Sequence, residues 1–204
     1  GLQTQNSGST VVISDGVSVT ATNVYHRQNC TFTMTGSANL TATTNFWSEI
    51  GGTFTIGTGT LDCDGTFNIV NTGTGGSFTI GSSGTLNVDG ASSIANALTM
   101  SSSSTATFNG DVTISATGSV VAGASSNLNI NGNWTNSGTY THSTETVTFG
   151  GASQQTITTG TTVSYASPSP TILTEDFGSG ACSVPSGWTN TGGKPFEFHS
   201  GSIG

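Results

Sequence analysis

Apolar residues along this chain occur in short pairs separated by a single polar residue. Each pair is flanked by Thr, Ser or Asn, so the pattern has a period of two. This period places alternate side chains on one face of a strand and predicts very short strands with one buried face. No segment combines helical spacing of apolar residues with freedom from poor helix formers, so we predict an all-β protein. The clearest pairs are Phe54/Ile56, Phe67/Ile69, Phe78/Ile80, Leu86/Val88, Val112/Ile114, Leu128/Ile130 and Val147/Phe149.

The strand pattern itself repeats along the chain. Segment 52–65 recurs as 76–90, and its register returns in 97–110 and 110–123. Pairs this short and closely spaced do not suit a β-sandwich, but they suit a solenoid in which each coil of about 20–25 residues buries its inner face against its neighbours. We therefore predict a parallel β-helix (β-solenoid) from about Val11 to about Val163, with Thr10–Thr22 as its first coil. Glycines at the strand ends are expected to supply the positive φ of tight corners.

A change in composition divides the chain. The segment Ser167-Pro-Ser-Pro170 is stiff and linker-like, and no proline precedes it. We predict a β-helical repeat domain over residues 1–165, a Ser/Pro linker over 166–170, and the beginning of a second β domain over 171–204. Two or three strands cannot close a core alone. The last part is therefore expected to be a truncated β-sandwich or jelly roll that continues beyond Gly204.

Composition and charge narrow the classes of function. Thr, Ser, Gly and Asn fill more than half of the 204 positions, only 6% of residues are charged, and the formal net charge is −8. Arg27 and Lys194 are the only Lys or Arg residues, whereas nucleic-acid binding needs clustered cations. No apolar run approaches the ~18–20 residues of a spanning helix. We expect no nucleic-acid partner and no membrane insertion, and this composition is typical of exported proteins.

The C-terminal segment resembles a known adhesin module. The motif Glu175-x-Phe177, followed by Pro185-x-Gly187-Trp188, is similar to the opening of jelly-roll modules of the cleaved-adhesin, or choice-of-anchor, type. The resemblance covers about 25 residues and implies an exported adhesin.

A second resemblance lies in the repeat region. The stretch from Leu128 to Tyr140, together with 147–151 and 155–157, is similar to the β-helical repeats of large bacterial surface proteins exported by type IX secretion. The resemblance implies an extracellular or cell-surface location, the secretion machinery as a partner during export, and a sorting domain beyond Gly204. We expect a non-catalytic stalk or adhesin segment. Two alternatives stay open: a surface-filament subunit that assembles with itself end to end, and a module that binds surface glycans or ice.

Catalytic chemistry has little support in the sequence. No Gly-x-Ser-x-Gly motif occurs, and His26, His142 and His199 lie far apart. His142 is expected to be a solvent-facing turn histidine beside Glu145. We predict that the chain is not an enzyme, has no catalytic residue and uses no cofactor, and a structural calcium ion stays open as an alternative.

The candidate metal ligands are Asp62, Asp64 and Asp89. The first two flank Cys63, which the pattern places inward, so both carboxylates are expected to point outward from one strand. The repeat places Asn87 and Asp89 one coil above. Oxygens stacked about 4.8 Å apart suit calcium, which takes six to eight oxygen ligands. The alternative, which the residue types favour, is a hydrogen-bonded Asn/Asp ladder at a turn.

Outward threonines form another candidate surface. Several Thr-x-Thr segments place two threonines on either side of an inward apolar residue, and ranks of such threonines are how several antifreeze proteins bind ice. Comparison of the repeats aligns Asp111 and Thr113 with Thr53 and Thr55. An aspartate in the column would break the match to ice, and outward threonine is in any case what strand propensity favours.

Two tryptophans and three cysteines complete the candidates. Trp47 is the candidate ligand-binding residue for glycans, and the alternative is that it fills the corner between the first coils. Trp134 falls at an inward position and is expected in the core or at an end cap. Cys30 and Cys63 either form a disulfide or are inward-facing thiols that behave as small apolar residues, and Cys182 is assigned no partner.

Overall fold

A computed structural model shows an all-β chain and describes residues 1–4, 7–49, 51–71 and 76–159. The described residues form twenty strands and no helix. The chain divides into two units, Gly1–Pro170 and Thr171–Gly204, and every described residue belongs to the first. The predicted linker and second β domain, and Cys182 with them, lie outside the described residues. The predicted domain boundaries therefore stay a prediction.

The strands are short, as the alternating pattern predicts. Most contain three or four residues, and only β3 and β5 are longer. Their bounds are β1 (Leu2–Thr4), β2 (Thr10–Ile13), β3 (Ser18–His26), β4 (Thr31–Met34), β5 (Asn39–Ser48), β6 (Thr53–Ile56), β7 (Thr60–Cys63), β8 (Thr66–Ile69), β9 (Ser77–Ile80), β10 (Thr85–Val88), β11 (Ser92–Ile94), β12 (Ala97–Met100), β13 (Thr105–Phe108), β14 (Val112–Ile114), β15 (Ser119–Val121), β16 (Asn127–Ile130), β17 (Trp134–Asn136), β18 (Thr139–Thr141), β19 (Thr146–Phe149) and β20 (Ile157–Thr159).

All strand pairs are parallel, and they build a solenoid of about seven coils with three faces. Face one is a seven-stranded sheet in the order β18-β15-β12-β9-β6-β4-β2. Face two contains the first half of β3 and of β5, then β7, β10, β13, β16 and β19. Face three contains β1, the second half of β3 and of β5, then β8, β11, β14, β17 and β20. Because β3 and β5 run around the corner between faces two and three, these two faces form one thirteen-stranded sheet. The parallel β-helix prediction is confirmed.

The interior is filled by the apolar member of each alternating pair. Phe32, Phe54 and Phe78 stack on face one, with ring centroids 4.6 and 4.9 Å apart. Phe46 and Phe67 stack on face three at 5.1 Å and meet the first column edge-on. Each coil thus buries its side chains mainly against the coils on either side, which is the packing expected of a solenoid.

The inward cysteines and Trp134 belong to this core. Cys63 is buried, and its free thiol donates to the carbonyls of Gly65 and Thr66 at 3.6 and 3.3 Å. Burial is the main cause of the raised pKa of the Cys63 thiol. Cys30 is also buried, and its thiol donates to a backbone carbonyl at 3.5 Å. Of the two alternatives, the structure has buried thiols rather than a Cys30–Cys63 disulfide. Trp134 is 7% exposed and lies in the core of the sixth coil.

The corner glycines act in two different ways, only one of which the sequence predicts. Gly16 and Gly36 have φ of 72° and 53°, as expected for the corner between faces one and two. Further along the same corner, serines adopt positive φ instead, at Ser83, Ser103 and Ser125. The corner between faces two and three has a column of glycines, at positions 65, 90, 110 and 132, without positive φ. At Gly90, Gly110 and Gly132 a Cβ would overlap the backbone of the glycine one coil earlier, so close approach of the coils requires glycine there.

Candidate functional site

The outer surface of face two carries an Asn/Asp ladder. Asp62 pairs in register with Asn87, as the repeats predict, and Asn87 pairs with Thr107. The Asn87 side-chain amide donates to Asp62 Oδ1 at 2.8 Å, and the Asn129 amide donates to Thr107 Oγ1 at 3.3 Å. Amide donors therefore contact the oxygens that would otherwise face a cation.

A second ladder follows the corner between faces two and three. Asn109 donates to Asp89 Oδ1, and Asn131 donates to Asn109 Oδ1, both at 2.7 Å. Asp64 lies at the same corner, one coil before Asp89. Among the described residues, no group of three or more His, Cys, Asp or Glu side chains is arranged to hold a metal ion. The ladder that the sequence offered as the alternative is present, and calcium binding by Asp62, Asp64 and Asp89 stays a prediction.

Face one presents two columns of outward side chains, most of which are threonine or serine. Strand pairing aligns Thr33, Thr55, Thr79 and Thr99 across four neighbouring strands, with a valine at each side and Thr141 at the end. The other column contains threonine or serine on six of its seven strands and Ala97 on the remaining one. The seven described strands of this face contain no Asp, Glu, Lys or Arg.

The predicted alignment of Asp111 with Thr53 is wrong. Asp111 comes directly before β14, on face three, where its Oδ1 accepts from the backbone N–H and side-chain amide of Asn133 at 2.8 and 3.0 Å. Each coil contains three strands with similar apolar pairs, so an alignment that slips by one strand moves a residue to a neighbouring face. The aspartate therefore does not interrupt the threonine columns.

Trp47 lies on the outer surface of face three, on β5. Phe46 and Ser48 on either side of it are buried, whereas Trp47 is half-buried and in register with Tyr25 on β3. The Arg27 guanidinium carbon lies 4.9 Å from the centre of the Tyr25 ring, and Arg27 Nε lies 3.5 Å from Glu49 Oε1. The structure thus adds Tyr25, Arg27 and Glu49 to the one residue that the sequence singled out.

The alternation of the sequence contains the signal for this cluster. Asn23-Val-Tyr-His-Arg27 alternates outward and inward positions, and the same holds for 45–49 one coil later. Aligning these two stretches would place the aromatic residues and the charged residues side by side. The alignment requires a register shift, because β5 has one extra residue where the two strands turn the corner after Ala21.

His26 is a fully buried polar residue that the apolar pattern does not reveal. Its Nε2 lies 2.8 Å from the Cys30 carbonyl, which accepts the N–H, so in the neutral ring Nδ1 accepts from the Ser48 hydroxyl at 2.9 Å. Burial is the main cause of the lowered pKa of His26, because the imidazolium would lose its hydration. Both nitrogens are satisfied within the fold, so His26 has a structural role.

His142 is not the solvent-facing histidine that the sequence predicts. Its side chain is 8% exposed, and its Nδ1–H donates to Glu145 Oε1 at 2.6 Å. Glu145 also accepts from the Tyr140 hydroxyl and from the Ser143 backbone N–H, both at 2.7 Å. Burial alone would raise the pKa of Glu145, but these hydrogen bonds outweigh it and the pKa is lowered. A single carboxylate thus orders the corner of the last described coil, and the histidine turns inward to reach it.

Comparison with known proteins adds no assignment. No protein-family model matches the chain, and neither a curated protein nor a solved structure matches it. Within the part of the chain that the structure covers, no helix has the length and apolar character needed to cross a membrane.

Proposed function

We propose that this chain is a non-catalytic segment of an exported bacterial cell-surface protein, and that the solenoid serves as a stalk of fixed length. The observation that carries the proposal is the continuity of the coil stack. Every strand of the inner coils is paired with the coil before and the coil after, and the core runs through the stack without interruption.

A stack of this kind gives a spacer a defined length. Seven coils at about 4.8 Å per coil extend about 30 Å along the axis. Side chains on the outer surface reinforce the backbone pairing, because the Asn/Asp ladders join one coil to the next. Both described histidines are held in hydrogen bonds within the fold, which supports a structural rather than a catalytic role.

Sequence supports the cell-surface part of the proposal. The stretch that resembles type IX-secreted surface repeats maps onto β16, β17 and β18. The scarcity of Lys and Arg, with a net charge of −8, leaves few trypsin sites and limits self-association. The proposed partners are the secretion machinery during export and surface ligands afterwards.

The first test is small-angle scattering and negative-stain imaging of the purified chain over a dilution series. A stalk predicts particles of one size at every concentration, because the coils of one chain pair with one another and need no second copy. Fibres that lengthen with concentration would contradict the stalk and make end-to-end assembly the function. Such assembly would occur at the last described coil, where the inward residues Val147 and Ile157 are 37% and 52% exposed.

A second candidate function is ice binding, and the threonine columns of face one favour it. Thr33, Thr55, Thr79 and Thr99 form a regular array of hydroxyl and methyl groups with no charge among the strands of this face. Neighbouring threonines are about 4.8 Å apart from strand to strand and about 6.7 Å apart along each strand. The hydroxyl and methyl groups therefore form a two-dimensional array. The aspartate that counted against ice binding in the sequence lies on another face.

Thermal hysteresis and ice-recrystallisation assays test this candidate with a matched pair of variants. Thr55→Lys places a charge within the threonine column of face one and is expected to abolish any activity of the wild type. Thr107→Lys places the same charge on face two and is expected to leave that activity unchanged. A wild-type chain without activity in either assay removes ice binding from consideration.

A further inference from the structure

Two aromatic rings and one ion pair form a compact patch on face three. We define the aromatic patch as Tyr25 and Arg27 on and just after β3, with Trp47 and Glu49 on and just after β5. The two rings are register partners on neighbouring strands, and the two charged side chains lie 3.5 Å apart at their closest nitrogen and oxygen. Arg27 and Glu49 are 34% and 29% exposed, so the ion pair faces solvent.

The patch leaves two N–H donors without an acceptor. Trp47 Nε1 and Arg27 Nε are both shielded from water, and neither forms a hydrogen bond. Arg27 Nε lies at ion-pair distance from Glu49 but lacks hydrogen-bond geometry. Polar groups without partners are uncommon in folded proteins, and only one other such side-chain atom, Ser92 Oγ, occurs among the described residues. Two of these three buried atoms without a hydrogen bond therefore belong to the aromatic patch.

The backbone beneath the patch is fixed on both strands. The Arg27 N–H donates to Thr4 Oγ1 at 3.0 Å, and the Glu49 N–H donates to the His26 carbonyl at 2.7 Å. Phe46 and His26, which alternate with the patch residues, are fully buried. A ligand would therefore meet side chains whose anchoring points are already ordered, which lowers the entropic cost of binding.

We propose that the aromatic patch binds a neutral sugar of a glycan. The indole and phenol rings supply flat apolar surfaces for the C–H face of a pyranose. Arg27 donates and Glu49 accepts, which matches the alternating acceptors and donors of adjacent hydroxyl groups. On binding, the partly exposed Arg27 side chain turns from the Tyr25 ring towards the sugar. This movement brings Arg27 Nε, one of the two donors without an acceptor in the free protein, within reach of a sugar oxygen.

Charge selects a neutral rather than an acidic glycan. Arg27 is the only Lys or Arg among the described residues, and it is paired with Glu49, so the patch has no net charge. The chain as a whole is at −8 and repels anions. A protein partner fits less well, because a stable interface needs about 800 Å² on each side. Here the apolar surface is limited to two rings, and the residues beside them are small and polar, such as Asn45 and Asn68. Sugar binding does not depend on the stalk proposal and would hold for a filament as well.

A glycan array probed with the whole chain tests the proposal. We expect binding to neutral oligosaccharides in preference to sialylated ones, and we expect Trp47→Ala to weaken binding about tenfold or more, as loss of a stacked ring does. Trp47→Phe, which retains a ring, should lose less. Thr135→Ala is the matched control, because Thr135 lies outward on the same face four coils further along. Circular dichroism of each variant separates loss of binding from loss of fold.

Nuclear magnetic resonance of the indole N–H groups gives a second readout. The signal that disappears in Trp47→Phe belongs to Trp47, and it is expected to shift on titration with the best oligosaccharide from the array, while that of buried Trp134 stays in place. Absence of binding to any neutral glycan would overturn the proposal. Binding that survives both Trp47→Ala and Arg27→Ala, binding confined to sialylated glycans, or capture of a protein alone would overturn it equally.

Discussion

Phe54→Ala is expected to destabilise the solenoid by about 3–5 kcal/mol, the usual cost of removing a large buried aromatic side chain. Phe54 is fully buried and stacks between Phe32 and Phe78, with centroid distances of 4.6 and 4.9 Å. It also meets Phe46 edge-on at 5.0 Å. The substitution therefore opens a cavity that borders three coils, and the rigid backbone ladders on either side limit how far these coils can collapse into it.

Urea denaturation followed by circular dichroism measures this loss, with Thr55→Ala as the control. Thr55 is the next residue on the same strand, but it is half-exposed on the outer surface. Its replacement should change the free energy of unfolding by no more than about 0.5 kcal/mol. Equal effects of the two substitutions would contradict the inward and outward assignment of β6. A wild-type transition in several steps would mean that the coils unfold separately, and the loss would then appear in the step in which the coil that contains β6 unfolds.

The fold class follows from the sequence because its signal is local. In Phe54/Ile56 and Phe78/Ile80, alternation alone decides which side chain faces inward, and both pairs are buried. The repeat spacing then fixes which strands pair, so that Thr53 lies beside Ser77 as the comparison of segments 52–65 and 76–90 predicts. A solenoid suits such inference because its long-range contacts all have nearly the same sequence separation.

The surfaces were harder to predict because three faces share one strand signature. The alignment of Asp111 with Thr53 is wrong because the pair Val112/Ile114 resembles the apolar pairs of the neighbouring faces. The pairing of Tyr25 with Trp47 is hidden in the sequence because the extra residue in β5 shifts the register at a corner. Only the backbone geometry shows which residues of neighbouring coils lie side by side. A period-two pattern of apolar residues does not contain this information.

Buried polar residues are the other group whose positions the apolar pattern does not predict. His26 occupies an inward position that an apolar residue would normally take, and its partners Cys30 and Ser48 become neighbours only when the coils stack. His142 and Glu145 are three residues apart, yet their contact depends on a turn that brings a buried carboxylate over Tyr140. The sequence does not reveal that the side chains of His26 and Glu145 are buried, because their burial results from tertiary packing.

The second large effect is expected for Gly110→Ala, which should destabilise the solenoid by about 2–3 kcal/mol, a typical cost of overpacking. A Cβ on Gly110 would come within 3.0 Å of three backbone atoms, namely the carbonyl carbon and oxygen of Gly90 and the nitrogen of Ala91. Because backbone atoms held in a parallel ladder cannot rotate away as a side chain does, the two coils must separate at this corner. The Asn109–Asp89 hydrogen bond, which joins the same two coils at 2.7 Å, should weaken with them.

Gly150→Ala is the matched control because it changes the unfolded chain in the same way. Any gain from reduced unfolded-state entropy, about 0.4–1 kcal/mol, is common to both variants. At Gly150 a Cβ would meet only the side chains of Asn131 and Thr148, at 3.1 and 3.8 Å, and these can adjust. Its unfolding free energy should stay within about 1 kcal/mol of the wild type. If Gly110→Ala were equally harmless, the coils would not be in close backbone contact at this corner, and the glycine column would need another cause than the spacing of the stack.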